Sequence, residues 1–295
     1  MKRIIFCFFA VATLMSCSKK DDVIANGNFT LNLKGLENLG TNYVYEGWLM
    51  VNGSPISSGR FSVNDNGQQS KTSFTIPAAS LNAATAFILT IEPSANDVPA
   101  PSDVHVLAGN FTGNNGLATV SHSAALGNDF TKISGKYILA TPTDGGMMDN
   151  EESGVWFLDN SSGNPVKGLD LPTLPNGWKY EGWVVINGTP LSTGTFTNAN
   201  AADANAATST FKGSNNNGPA FPGEDFLRNA PGGLTFPTSL KGKTIVISIE
   251  PFPDNSAAPF VLKPLLNVVP ADAKVHTAIS MSSNLTSFPT GTFSR

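Results

Sequence analysis

The sequence predicts an all-β protein of two tandem β-sandwich domains behind a short N-terminal leader. Three observations carry this. An eleven-residue stretch occurs twice, as Tyr45–Pro55 (YEGWLMVNGSP) and Tyr180–Pro190 (YEGWVVINGTP), with seven identical positions at an offset of 135 residues. Both copies run into Asn-Gly, the dipeptide whose positive φ angles suit a two-residue hairpin turn. Glycine and proline are abundant, at 28 and 20 of 295 residues, and no sustained 3.6-residue apolar period competes with the strand signals. Short strands separated by many turns point to sandwiches with immunoglobulin-like layering.

The elements follow in order. Val44–Val51 and Lys179–Ile186 read as strands ending at the Asn-Gly turns. Gly47 and Gly182 sit inside them and mark a bulge or a close backbone approach. Pro55 and Pro190 just past the turns belong at a strand start or on a sheet edge, because proline cannot donate to a ladder. Ser57–Ser62 matches Ser192–Thr197 at the same offset, while Phe87–Pro93 (FILTIEP) matches Ile245–Pro251 (IVISIEP) at an offset of 158. In the latter pair Phe87, Leu89 and Ile91 alternate with Ile88, Thr90 and Glu92, the period of a half-buried strand. A third signal, glycine followed two places later by an aromatic, occurs at Gly27-Asn28-Phe29, Gly135-Lys136-Tyr137 and Gly291-Thr292-Phe293. These read as strands opening repeat one, opening repeat two and closing repeat two. A period above 100 residues denotes a duplicated domain rather than a solenoid. The expected division is 1–16 leader, 17–25 tether, 26–128 first repeat and 129–295 second repeat, with an insertion near 218–236 where the offset grows.

The leader has a basic head, Lys2 and Arg3, and an apolar run from Ile4 to Met15. Twelve residues are too few to span a bilayer, which takes about 20, but they fit a secretory signal peptide. Leu14-Met15-Ser16-Cys17 resembles a bacterial lipobox. That resemblance implies cleavage before Cys17, acylation of Cys17 and anchoring through the lipid, with Met15 bulkier than usual at its place. Ser18-Lys19-Lys20-Asp21-Asp22 resembles the surface-export signal of Bacteroidetes lipoproteins and implies an outer-membrane protein facing the cell exterior. The only cysteines are Cys7 and Cys17, so none is left after processing for a disulfide or a thiolate metal site. Loss of Lys2 and Arg3 leaves 16 basic against 22 acidic residues, and no basic tract follows Lys20. Nucleic acid is therefore not an expected partner.

Tyr45-x-x-Trp48, Asn52-Gly53-x-Pro55, Gly59-x-Phe61 and Ile91-Glu92-Pro93 resemble the extracytoplasmic C-terminal domain of the anti-sigma-K factor family. Tyr180, Trp183, Asn187-Gly188, Pro190, Gly194, Phe196 and Ile249-Glu250-Pro251 repeat the pattern. The resemblance implies a β-sandwich outside the membrane. It does not bring sigma-factor binding with it, since the cytoplasmic helical segment and spanning helix of those factors have no counterpart in this sequence.

An enzyme is not expected. His105, His122 and His276 are scattered, and neither a His-x-x-x-His pair, a Gly-x-Ser-x-Gly elbow nor a phosphate loop occurs. Glu46 with Glu92, and Glu181 with Glu250, have glycosidase-like composition. Their presence in both repeats instead suits structural acceptors, with the Glu before each Pro taking N–H groups from the next loop. Asp144, Asp149, Glu151 and Glu152 form a weak calcium candidate, which a solvated hairpin tip explains equally. Tyr45, Trp48, Tyr180 and Trp183 could form a sugar platform, but burial in a core suits them better. Gly218–Phe236 holds the candidate binding residues Phe221, Glu224, Asp225, Phe226 and Arg228, read either as a contact surface or as a strap with Phe221 and Phe226 packed on the sandwich and Asp225 paired to Arg228. The expectation is a non-enzymatic envelope lipoprotein, without cofactor, that binds a protein or glycan. The alternative is a glycan-presenting accessory lipoprotein of a surface nutrient-uptake system.

Overall fold

The computed structural model describes residues 25–127, 129–146, 149–253 and 256–295. The leader, Cys17 and most of the tether lie outside the described residues. The first part of the chain forms β1 (Asn26–Lys34), β2 (Tyr43–Val51), β3 (Ser54–Phe61), β4 (Ser73–Pro77), helix α1 (Ala78–Ala83), β5 (Ala84–Pro93), β6 (His105–Thr112) and β7 (Asn115–Thr119). The second forms β8 (Ser134–Leu139), β9 (Gly154–Trp156), β10 (Leu158–Asp159), β11 (Val166–Lys167), β12 (Leu169–Asp170), β13 (Trp178–Ile186), β14 (Thr189–Phe196), β15 (Gly223–Asp225), β16 (Thr244–Pro251), β17 (Leu265–Val268) and β18 (Ile279–Ser283), followed by the last strand, β19 (Thr290–Ser294). Among the described residues no helix is long and apolar enough to cross a membrane.

Two large antiparallel sheets result, and they share one plan. The first runs β3-β2-β5-β6-β7-β19-β1-β4 and the second β14-β13-β16-β17-β18-β8-β9-β15, with β12 also paired to β8. The first sheet curls until its edge strands meet, with the Phe61 and Phe74 rings 6.3 Å apart. All-β architecture in two units is thus as expected.

The local signals of the repeat all form. Asn52 and Asn187 have φ of 52°, and Gly53 and Gly188 have φ of 80° and 83°, so both hairpins turn on a pair of left-handed residues. Both hairpins shift register after the internal glycine, at Gly47/Trp48 and Gly182/Trp183. A side chain on Gly47 would run into Ser58 Oγ and lie 2.9 Å from the Phe87 ring, while one on Gly182 would run into Thr193 Oγ1 and lie 2.7 Å from the Phe157 ring. Pro55 and Pro190 fall on edge strands β3 and β14.

Two expectations are corrected. The strand containing Gly291-Thr292-Phe293 does not close repeat two. It enters the first sheet between β7 and β1, with Phe293 opposite Gly116 and Leu31. The corresponding place in the second sheet belongs to β8, with Tyr137 opposite Ile279 of β18. The first unit therefore takes its missing strand from the far end of the chain, and the second repeat's expected limit at 295 overruns its sheet, which ends with β18. The physical reason is apolar: Phe293 fills a slot among Phe29, Phe87 and Phe111, at centroid distances of 6.2, 5.1 and 4.8 Å. The segment near 218–236 is not wholly an insertion either. Gly223–Asp225 pairs with β9 at the sheet edge that β4 occupies in the first unit.

Candidate functional site

The duplicated glutamates are structural acceptors. The Trp48 indole donates to Thr90 Oγ1 at 2.9 Å, Thr90 donates on to Glu92, and Glu92 accepts the Ser102 N–H at 2.8 Å. The second unit repeats the chain: Trp183 to Ser248 at 2.8 Å, Ser248 to Glu250, and the Phe260 N–H to Glu250 at 2.9 Å. Glu46 and Glu181 accept from Ser57 and Ser192. Both indoles are buried, but Trp48 belongs to a small cluster with Ile88 and Ala108 on the outer face of the sheet, apart from the main core. The rings that join the main core are Tyr45 and Tyr180, each stacked at 5.6 Å on Phe61 or Phe196.

The structure places the five candidate residues of the 218–236 segment on or inside the second unit. Phe226 is fully buried, in a triad with Phe211 and Phe236 at 5.9 and 5.5 Å. Phe221 packs on the cluster of Ile138, Ala140, Trp156 and Leu158. Asp225 is buried and accepts from the Thr143 N–H at 2.8 Å and the Trp156 indole at 2.7 Å. Its expected partner, Arg228, instead donates twice to the Lys212 carbonyl, at 2.9 and 2.7 Å. Glu224 is buried beside Asp203 and Asp225, and burial pushes its carboxyl up to about 8. Three of the five side chains, Glu224, Asp225 and Phe226, are therefore inside, as a packed strap has them, while Phe221 is partly exposed and Arg228 exposed; the strap forms without the Asp225–Arg228 pair.

The calcium candidate is likewise taken apart. Glu152 pairs with Lys241 and Ser239. Glu151 accepts the Thr141 N–H at 2.9 Å and meets His276 Nε2 at 2.7 Å. Asp144 accepts from Thr141 Oγ1 and the Gly146 N–H, and Asp149 is exposed. Among the described residues no three His, Cys, Asp or Glu side chains come together as a metal site would need.

The feature that sequence reasoning missed is a cleft of about 920 Å³ between the two units. The same corner of each unit lines it. Leu39 and Leu174 correspond at the offset of 135, as do Tyr43 and Trp178; Pro93 and Pro251 correspond at 158, as do Ser102 and Phe260. These are the positions where the repeated strands begin and end, so two copies meeting corner to corner enclose a space bounded by like surfaces. Phe252 on its wall is half exposed and holds the Lys179 ammonium 3.8 Å from its ring centroid. Two close contacts cross the seam among the described residues. Glu37 Oε2 accepts the Val261 N–H at 2.6 Å, and Gly177, at φ +82°, lies so close to Asp103 that an added Cβ would stand 2.6 Å from its carbonyl oxygen. Burial pushes the Glu37 carboxyl up to about 7, against the opposing effects of the Val261 hydrogen bond and Lys263. The constant offsets were visible in the sequence; that these corners face each other was not.

Comparison with known proteins bears on the first unit. The family model described as anti-sigma-K factor rskA, C-terminal, matches residues 23–106, a span that runs from before β1 into β6. No curated protein and no solved structure matches the chain. The first unit is therefore similar to the C-terminal module of anti-sigma-K factors, and the second shares its strand order.

Proposed function

We propose that the chain is a non-enzymatic lipoprotein of the cell envelope, anchored in the outer membrane through Cys17 and facing the exterior, which holds a ligand in the cleft between its two β-units. The observation that carries the binding role is the construction of the cleft from equivalent corners of both repeats. Its size falls within the range of ligand sites, about 300–1,000 Å³, and a domain interface is a usual place for one. The glutamates that a hydrolase reading would enlist hold strand ends and loops in place, which supports a non-catalytic reading. The leader and Leu14-Met15-Ser16-Cys17 support the anchor.

A second reading, presentation of a glycan within a surface nutrient-uptake system, draws on Tyr43 and Phe252 beside the Asn38 and Asn176 amides in the same cleft. The test is thermal-shift screening of the purified chain against defined peptides and oligosaccharides, with Asn176→Trp as a blocked-cleft variant. Asn176 is exposed, so the variant should melt like the wild type and lose the ligand-induced shift. A shift that survives in Asn176→Trp, or turnover of any compound in the panel, contradicts the proposal.

A further inference from the structure

Resting on the cleft as the binding site, we infer that its ligand is a short extended peptide carrying a basic side chain between apolar residues. The charges at the seam are the first argument. Glu37 and Asp103 both lie where the units touch, and both line the cleft. The Asp103 side chain is exposed, and among the described residues its carboxylate makes no hydrogen bond or ion pair. Among the described residues that line the cleft, the cation is Lys179, placed over Phe252, while Lys263 stands near Glu37 behind the lining. A cationic group entering at the seam therefore meets two carboxyl groups of the first unit, and the Lys179–Phe252 contact shows a ring of this cleft already accepting an ammonium.

The flanks are the second argument. On either side of the seam stand the equivalent apolar corners, Leu39 with Tyr43 and Leu174 with Trp178. A small amine fills one corner at most. A peptide reaches both, and its residues on either side of the basic one bury apolar surface at about 25 cal/mol per Å². A cleft of about 920 Å³ has room for several residues.

The carboxyl of Glu37 adds a signature. Burial holds it near 7, with Lys263 as the titratable group acting on it, Tyr45 a neighbour on which it acts, and Glu250 acting in turn on Lys263. A bound cation favours its ionised form, so binding should tighten as pH rises from about 6 to about 8.

The experiment is fluorescence anisotropy on the full soluble chain with a labelled peptide of alternating proline and leucine bearing one central arginine. Its arginine-to-glutamine version and a set of neutral oligosaccharides serve as competitors. The expected result is binding of the arginine peptide, at least tenfold weaker binding of the glutamine version, tighter binding at pH 8 than at pH 6, and a several-fold loss in Asp103→Asn and in Glu37→Gln. Melting curves establish that both variants are folded. If the glutamine version binds equally, or an oligosaccharide binds instead in a manner abolished by Asn176→Trp, the cleft is a binding site and the assigned ligand class is wrong. If no probe responds to Asn176→Trp, the cleft itself is not the site, and both this inference and the proposed function fail.

Discussion

Phe293, two residues from the end of the chain, lies with its ring 6.2 Å from that of Phe29 in the first strand. The contact joins the two ends of the described chain across one sheet and makes the first unit depend on a strand that follows the second. Arg295 reinforces it by donating to the carbonyls of Leu81, Ala84 and Gly113 at 2.7–3.0 Å. Phe293→Ala should cost about 3–5 kcal/mol, and deletion of residues 289–295 should lower the melting temperature of the first unit far more than that of the second. Urea denaturation of both variants, with hydrogen exchange to assign the unit that opens, checks this. Equal loss in both units would show that β19 is a general strap rather than a strand of the first sheet.

Trp48 and Trp183 give a second expectation. Each indole hands a hydrogen bond to a hydroxyl that passes it to a glutamate. Trp48→Phe keeps most of the ring volume and removes the donor to Thr90, which should cost about 1–2 kcal/mol. Trp48→Ala adds a cavity and should cost about 3–5 kcal/mol. If Trp48→Phe is neutral in chemical denaturation, the relay is incidental to stability.

The buried carboxylates of the second unit set a pH dependence. Burial raises Glu224 to about 8 and Asp225 to about 6, and raises Asp203 as well. A carboxyl raised in the folded state keeps its proton where the unfolded chain has lost it, so the fold binds more protons between the ordinary carboxylate range and about pH 8. Stability from these groups is present in full below their unfolded values and is lost as pH rises through the folded ones. The second unit should therefore weaken between about pH 5 and about pH 8, and Glu224→Gln should flatten that dependence. A urea midpoint that rises over this interval contradicts the assignment.

The strap is tested by length. Replacing residues 218–236 with a short Gly-Ser link removes β15 and the Phe226–Phe236 contact at 5.5 Å. Loop length alone changes stability little, so a clear drop in melting temperature is expected from the lost core. Unchanged melting would return the segment to the class of free binding loops.

Much of this fold could be read from the chain. The Asn-Gly turns and the bulges beside Gly47 and Gly182 are local, set by backbone conformation. The rows Phe87-Leu89-Ile91 and Ile245-Ile247-Ile249 face the core as the two-residue period has it, but the strands are not half-buried: Ile88, Thr90 and Glu92, and Val246, Ser248 and Glu250, are buried on the other face as well. What could not be read was long-range. Gly291-Thr292-Phe293 has the strand signature wherever it pairs, and only the slot among Phe29, Phe87 and Phe111 chooses its sheet. The burial of Glu224 and Asp225 was not legible because acidic side chains seldom are buried; for Asp225, Thr143 and Trp156, 82 and 69 residues away, supply the partners in place of Arg228. The cleft was illegible for the same reason, since its two walls meet only when the units dock.

We propose above that both units bind one ligand together in the cleft between them. Amide hydrogen exchange on the purified chain, with and without the arginine peptide, tests this. Added peptide should slow exchange at once in residues 37–43 of the first unit and 174–179 of the second, and Asn176→Trp should remove both effects. Protection confined to one unit, or appearing around β15 with the cleft unchanged, would contradict it.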